Sequence, residues 1–176
     1  SLHVPRGGLC CVLGPGGGGK TALLRVLAGH ARPQSGRALV LGQDPCRDRA
    51  ALRARVGYLP PERVLDPTVP LGRQAARSAS LCGLSVRHSE ARYRALLTRL
   101  GLRGVLETPA AALASGQRRL GEVALALLLG AELLLLDDPD VGMDPEQRQR
   151  LFDLLGLVTI AAHLVLARMW DTLARE

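Results

Sequence analysis

One lysine, Lys20, stands among the 23 basic residues of this chain, and the other 22 are arginines. It sits near the end of the run Gly14-Pro15-Gly16-Gly17-Gly18-Gly19-Lys20-Thr21, which fits G-x-x-x-x-G-K-[ST]. The residue types suit one chemistry. Glycines let main-chain N–H groups turn inward around phosphate oxygens, where a Cβ would obstruct them. A helix that begins at the loop adds partial positive charge at the same point. The Lys20 ammonium supplies a full charge for the outer phosphates, and the Thr21 hydroxyl suits Mg²⁺. A compact ammonium on a flexible stem has been kept at one position of a chain that otherwise uses guanidinium.

Two carboxylates form the second constellation. The run Glu132-Leu133-Leu134-Leu135-Leu136 ends in Asp137-Asp138-Pro139. An apolar strand that ends this way carries both carboxylates to the carboxyl edge of a parallel sheet, where ligands bind in such architectures. Asp137 then suits Mg²⁺, directly or through water, and Asp138 suits polarisation of an attacking water. Val158 to Ala162 reads as a strand that delivers His163 to the same edge. There His163 is either a sensor of the outermost phosphate or an ordinary structural histidine.

Leu113-Ala114-Ser115-Gly116-Gln117 comes just before Leu120, Val123, Ala124, Leu127 and Leu128, a spacing that predicts an amphipathic helix. Ser115 and Gly116 fall where that helix starts, so its free N–H groups face either an anion or a plain cap. Asp144-Pro145-Glu146-Gln147 has the residues of a capped helix start, with Gln147 as the reciprocal cap.

The positioning elements follow from the pattern. Leu9 to Leu13 reads as a buried parallel strand, and Thr21 to Ala28 as a helix ended by Gly29. Arg37 to Leu41 reads as a strand closed by Gly42, Asp48 to Arg53 as a short helix, and Val56 to Leu59 as a strand stopped by Pro60-Pro61. From about Gln74 to Leu100 strand signals vanish, which predicts helices. The expected fold is α/β: a mostly parallel sheet flanked by helices, with an inserted helical subdomain. One domain is expected over residues 1–176, with its core in 1–65 and 130–176 and the helical subdomain at about 66–129.

Composition narrows the function classes. Apolar residues make up 47% of the chain, which excludes a disordered protein. Aromatics are 2%, so the core must be Leu, Val and Ala, and base stacking has little support. The net charge of +7 fits a solvated basic surface or a place near an anionic membrane. Cys10, Cys11, Cys46 and Cys82 lack metal-ligand spacing, and Cys10 and Cys11 are expected in the core. No run is apolar enough to span a bilayer, so a membrane link is expected to run through a partner.

In this order the motifs resemble the nucleotide-binding subunit of an ABC transporter, of the exporter type found in multidrug or haem export. The likeness covers nearly the whole chain. The family's GPNGAGKTT matches Gly14 to Ala22, its LSGGQ matches Leu113 to Gln117, its DEP matches Asp137-Asp138-Pro139, and its GLDP matches Gly142 to Pro145. The family's switch histidine is matched to His163. The resemblance implies a P-loop NTPase fold with ATP and Mg²⁺ as cofactors. Gly14, Pro15, Gly16, Gly17, Gly18, Gly19, Lys20, Thr21 and Ala22 would bind nucleotide, and Thr21 and Asp137 would bind metal. Asp138 and His163 would be catalytic. Leu113, Ala114, Ser115, Gly116 and Gln117 would act on the ATP of a second cassette, paired head to tail. A membrane permease would complete the assembly, holding this subunit on the cytoplasmic face of the membrane.

The departures from the family pattern bear on turnover. Asp138 is one methylene shorter than the family's glutamate. Pro61 replaces a glutamine, Ala114 a serine and Ala22 a hydroxyl residue. Two further roles therefore stand beside the hydrolysing exporter subunit: the silent half of a heterodimer, and a soluble ABC-type ATPase acting on nucleic acid or ribosomes.

Overall fold

The computed structural model describes residues 3–5, 8–158 and 163–169. Its elements in chain order are β1 (Leu9–Gly14), α1 (Lys20–Leu27), α2 (Arg49–Leu52), β2 (Val56–Leu59), α3 (Leu71–Leu81), α4 (Val86–Arg99), α5 (Ser115–Leu128), β3 (Leu133–Asp137), α6 (Pro145–Val158) and β4 (His163–Met169). The contacts group residues 1–61, 131–139 and 159–176 into one unit and 62–130 with 140–158 into another. The second unit thus includes α6, which the sequence reading had placed with the sheet.

The first unit is built on a four-stranded sheet in the order β1-β4-β3-β2, with every pairing parallel. Parallel strands share one carboxyl edge, so Gly14, Leu59, Asp137 and Met169 end on the same side. In β3 every residue is buried, as expected of an apolar strand with neighbours on both sides. Beneath the sheet, Leu24 of α1 packs in a cluster with Val40, Leu52, Leu133 and Leu135.

Three expectations are corrected here. First, β1, expected as a buried strand, is an edge strand of the sheet among the described residues. Its burial alternates, leaving Leu9, Cys11 and Leu13 exposed while Cys10 and Val12 pack on the core cluster. Second, Arg37 to Leu41 forms no strand. Only Val40 bridges, to Gln43, through paired main-chain bonds of 2.8 and 2.9 Å. Leu41 (φ 51°) and Gly42 (φ 80°) between them make a tight turn of the mirror-image kind, which reverses the chain before a ladder can grow. Third, Val158 is the last residue of α6, and Thr159 to Ala162 lie outside the described residues. Strand β4 begins at His163, which pairs with Leu133 at the amino end of β3, whereas Asp137 pairs with Ala167. A parallel register leaves no choice: His163 is at the edge opposite the carboxylates. At about 3.3 Å per residue, four residues separate the two levels by about 13 Å.

The second unit is helical. Leu71, Ala75 and Ala79 of α3, Tyr93 and Leu97 of α4, and Leu120, Val123 and Ala124 of α5 are all buried. Gly72 N–H donates to the Leu106 carbonyl at 2.7 Å, and a Cβ at Gly72 would meet the Leu106 side chain at 2.9 Å, so the start of α3 sits tight on that loop. Among the described residues no helix is long and apolar enough to cross a membrane.

The sheet core sets the stability of the first unit. Leu135 is fully buried, so Leu135→Ala should cost about 3 kcal/mol by lost burial and cavity formation. That corresponds to a fall of roughly 10 °C in melting temperature. A calorimetric scan checks it, and a shift under roughly 2 °C would mean that β3 is not packed as described.

Candidate functional site

The loop between β1 and α1 holds the first candidate constellation. Gly18 N–H donates to the Pro15 carbonyl at 3.1 Å, closing the loop on itself. Gly17 (φ 76°) and Gly19 (φ 83°) take the left-handed backbone, and nothing lies within 4 Å of where their Cβ atoms would be. Open space therefore lies beside the exposed loop at both glycines, and their left-handed backbone disfavours a side chain there. Lys20 is buried at 8% exposure, and its Nζ donates to the carbonyls of Gly14 (2.8 Å) and Pro15 (2.9 Å). The ammonium is thus folded back over the loop by neutral acceptors.

Helix α1 starts at this point with Gly19 as its N-cap, no side-chain cap and no acidic residue in its first turn. Its free N–H groups and dipole therefore face the loop. Thr21 is partly buried in that first turn and Ala22 is exposed. Asp137, at the end of β3, is fully buried, and Asp138 follows at φ 45° with partial exposure. A non-glycine residue in this conformation is uncommon, and Asp is among the few that tolerate it. Strand β1 is separated from β3 only by β4, so loop and carboxylates share an edge at about 10 Å lateral spacing. His163 is excluded from this edge by the register given above. The residue that β4 brings beside Gly14 is Met169.

A separate constellation lies in the helical unit. Leu113 is buried and follows a one-turn 3₁₀ helix, Ala110–Ala112. Ala114 is the N-cap of α5, and its N–H donates to Gln117 Oε1 at 3.2 Å. Alanine has no oxygen to return that bond, so only one arm of a capping box forms and the other N–H groups of the first turn stay open. Ser115 Oγ reaches the Gly142 carbonyl at 3.4 Å. Gly116 is buried because the turn at Gly142–Met143 presses on it. A Cβ there would strike Gln147 Oε1 and come within 2.7 Å of the Gly142 oxygen. Gln147 itself belongs to a full capping box: its N–H donates to Asp144 Oδ1 (2.8 Å), and its Oε1 accepts from Asp144 N–H (3.3 Å). The starts of α5 and α6 are therefore interlocked.

Several positioning residues escaped the sequence reading. Arg118 donates to the carbonyls of Ala110 (2.8 Å) and Leu113 (3.1 Å), pinning the turn before α5. Glu122, buried in α5, accepts from Arg119 Nη1 (2.9 Å) and from Val64 N–H (3.1 Å). It so ties the segment after Pro61 to this helix. Beside it the Tyr93 hydroxyl donates to the Gly121 carbonyl at 3.0 Å. Burial, then the Glu122 charge, push the Tyr93 pKa well above its ordinary value. Periodicity gave no signal for it: Glu122 lies two residues after Leu120, off the apolar face that Leu120, Val123, Ala124, Leu127 and Leu128 define.

Residues 1–141 match the family model described as ABC transporter. The chain is 36% identical over 152 residues to the daunorubicin resistance ATP-binding protein DrrA3 of Streptomyces coeruleorubidus, covering 86% of this chain and 48% of that protein. It is 33% identical over 181 residues to a putative ABC transporter ATP-binding protein of Nitratidesulfovibrio vulgaris, covering 99% and 65% respectively. In fold it resembles an ATP-binding subunit of an ABC transporter, with a TM-score of 0.85 at 24% identity over 99% of this chain and 73% of that one. A putative ABC transporter ATP-binding protein of Pyrococcus furiosus gives 0.83 at 23% identity, covering 94% and 80%. The chain thus spans about half the length of DrrA3 and just under two thirds of the Nitratidesulfovibrio protein.

The interlock at Gly116 makes a measurable prediction. Gly116→Ala should displace the turn at Gly142–Met143 and expose the N–H groups of Met143 and Gln147, bonded to Asp140 O and Asp144 Oδ1. Their amide exchange should quicken by about tenfold or more, a local opening rather than global unfolding. Unchanged exchange would mean that the two helix starts are not in contact.

Proposed function

Because the chain belongs to the ABC transporter family, as an ATP-binding protein of that family, we propose that it binds MgATP through the loop at Lys20 and serves as the cytoplasmic nucleotide-binding subunit of a membrane export complex. One observation carries this: a buried ammonium and a helix start with no side-chain cap and no acidic residue in its first turn meet at a glycine loop. Such a loop is favourable for a polyphosphate and for little else. Gly14 through Ala22 would hold the phosphates. Thr21 and Asp137 fit Mg²⁺ by donor type, since a hard cation prefers hydroxyl and carboxylate oxygen. Mg²⁺ commonly takes one or two protein ligands and completes its shell with phosphate and water. When bound it would neutralise charge on the outer phosphates.

Residues 1–176 then act as one cassette that pairs head to tail with a second, and Leu113 to Gln117 meet the partner's nucleotide. The open first turn of α5, with its partial positive charge, supports this assignment. A permease partner would complete the transport role, which the family membership implies in general terms.

Hydrolysis is proposed to be slow. Asp138 would polarise water from a shorter side chain, and a displacement of about 1 Å costs on the order of a hundredfold in rate. Pro61 offers no side-chain donor or acceptor at the end of the Pro60-Pro61 stop. At the loop's edge the register brings Met169 of β4, and not His163, beside Gly14. These three features favour a second reading, that the subunit is the weakly hydrolysing half of a heterodimer.

Isothermal titration with MgATP should give measurable heat for the wild type and at least a tenfold weaker association for Lys20→Ala, from loss of a charge-assisted contact worth about 1.5–3 kcal/mol. Equal heats would remove the proposal. Asp138→Glu should raise the steady-state rate about tenfold with little change in KM, because water activation and not nucleotide binding is restored. No increase would locate the deficit elsewhere and favour the silent half.

A further inference from the structure

At the far end of α1 from the phosphate loop lies a cavity of about 160 Å³. Eight residues of helix separate the two, about 12 Å along the axis. Ala28, Leu52 and Val56 make its apolar floor. His30 and Tyr58 form one wall, with ring centroids 5.4 Å apart and planes at 80°, an edge-to-face pair that holds both rings in place. Arg49 and Arg53 complete the lining. Both are exposed, and neither has an ion-pair partner among the described residues.

The charge around the cavity is one-sided. Between residues 25 and 55 there are seven arginines against two aspartates. Both aspartates are engaged locally. Asp44 Oδ1 accepts from the N–H of Cys46 (2.9 Å), and Asp48 Oδ2 accepts from the N–H of Asp44 (3.0 Å). Of the arginines, Arg55 is committed to Glu132. The electrostatic surroundings of His30 agree: burial, then Arg49 and Arg25, hold its pKa below the ordinary 6.5. The negative end of α1 opposes an anion here, but its last carbonyls already accept from Ala28, Gly29, His30 and Ala31 N–H groups.

We propose that this cavity is a binding site for a small aryl anion: an aromatic ring seated on the apolar floor against His30 and Tyr58, with its phosphate or carboxylate held by Arg49 and Arg53. Ring and charge are both required. The floor gives an apolar body somewhere to be buried, and two guanidinium groups match a planar or tetrahedral oxyanion. The site is independent of the nucleotide reading above, since it shares no residue with the phosphate loop.

Phenyl phosphate is the probe. In the full chain, followed by NMR of the His30 imidazole, it should shift the His30 signals saturably and raise the His30 pKa, because a bound anion favours imidazolium. Inorganic phosphate and phenol alone should each bind at least tenfold more weakly, and benzoate in place of phenyl phosphate tells a carboxylate site from a phosphate site. The double variant Arg49→Gln/Arg53→Gln alters exposed side chains and should abolish the shift while MgATP binding stays unchanged. Lys20→Ala should leave the shift intact. The proposal is overturned if His30 does not respond, if the arginine variant responds like the wild type, if inorganic phosphate matches phenyl phosphate, or if Lys20→Ala removes the effect.

Discussion

The Lys20 ammonium is the interaction on which the rest of the first unit turns. It is almost fully buried, and among the described residues its hydrogen bonds go to the Gly14 and Pro15 carbonyls. A buried cation satisfied only by neutral dipoles keeps most of its field. The surrounding construction preserves that field. Strand β1 ends at the loop, α1 begins there with its positive end uncovered, and the core cluster around Leu24 and Leu135 fixes strand and helix together. An oxyanion that enters this space replaces weak acceptors with strong ones.

The sheet supplies a second constraint, because register in a parallel sheet is rigid. Once Leu133 pairs with His163 and Leu9 with Leu164, the level of every side chain follows. That is why Asp137 and the loop end on one edge and His163 does not. The sequence shows the loop, the carboxylate pair, strand β2 and the capped start of α6 plainly, because each is local: a few residues with fixed backbone demands. It misplaced His163 because the run Leu157 to Ala162 carries no glycine or proline, and its apolar composition suits either element. It misjudged β1 because a short apolar run does not say whether a strand is central or at the edge. Arg37 to Leu41 has the composition of a strand, and its turn was hidden because Leu41, not glycine, takes φ 51°.

In the helical unit the deciding contacts are long in sequence and short in space. Glu122 holds Val64, Arg118 holds Ala110, and Gly116 admits the turn before α6. None of these partners is within the range of a periodicity argument. Together they make the segment after β2, the start of α5 and the start of α6 parts of one mechanical body. An adjustment at any of the three is then transmitted as a shift of the others rather than absorbed locally.

The scarcity of lysine has a practical consequence. Reagents that acylate primary amines but spare guanidinium find one side-chain target in the whole chain, and that target sits in the glycine loop at 8% exposure. Its labelling rate therefore becomes a clock for how often the loop opens, and any occupant of the loop would slow that clock. Few proteins offer so direct a chemical report from the point where their charge is concentrated.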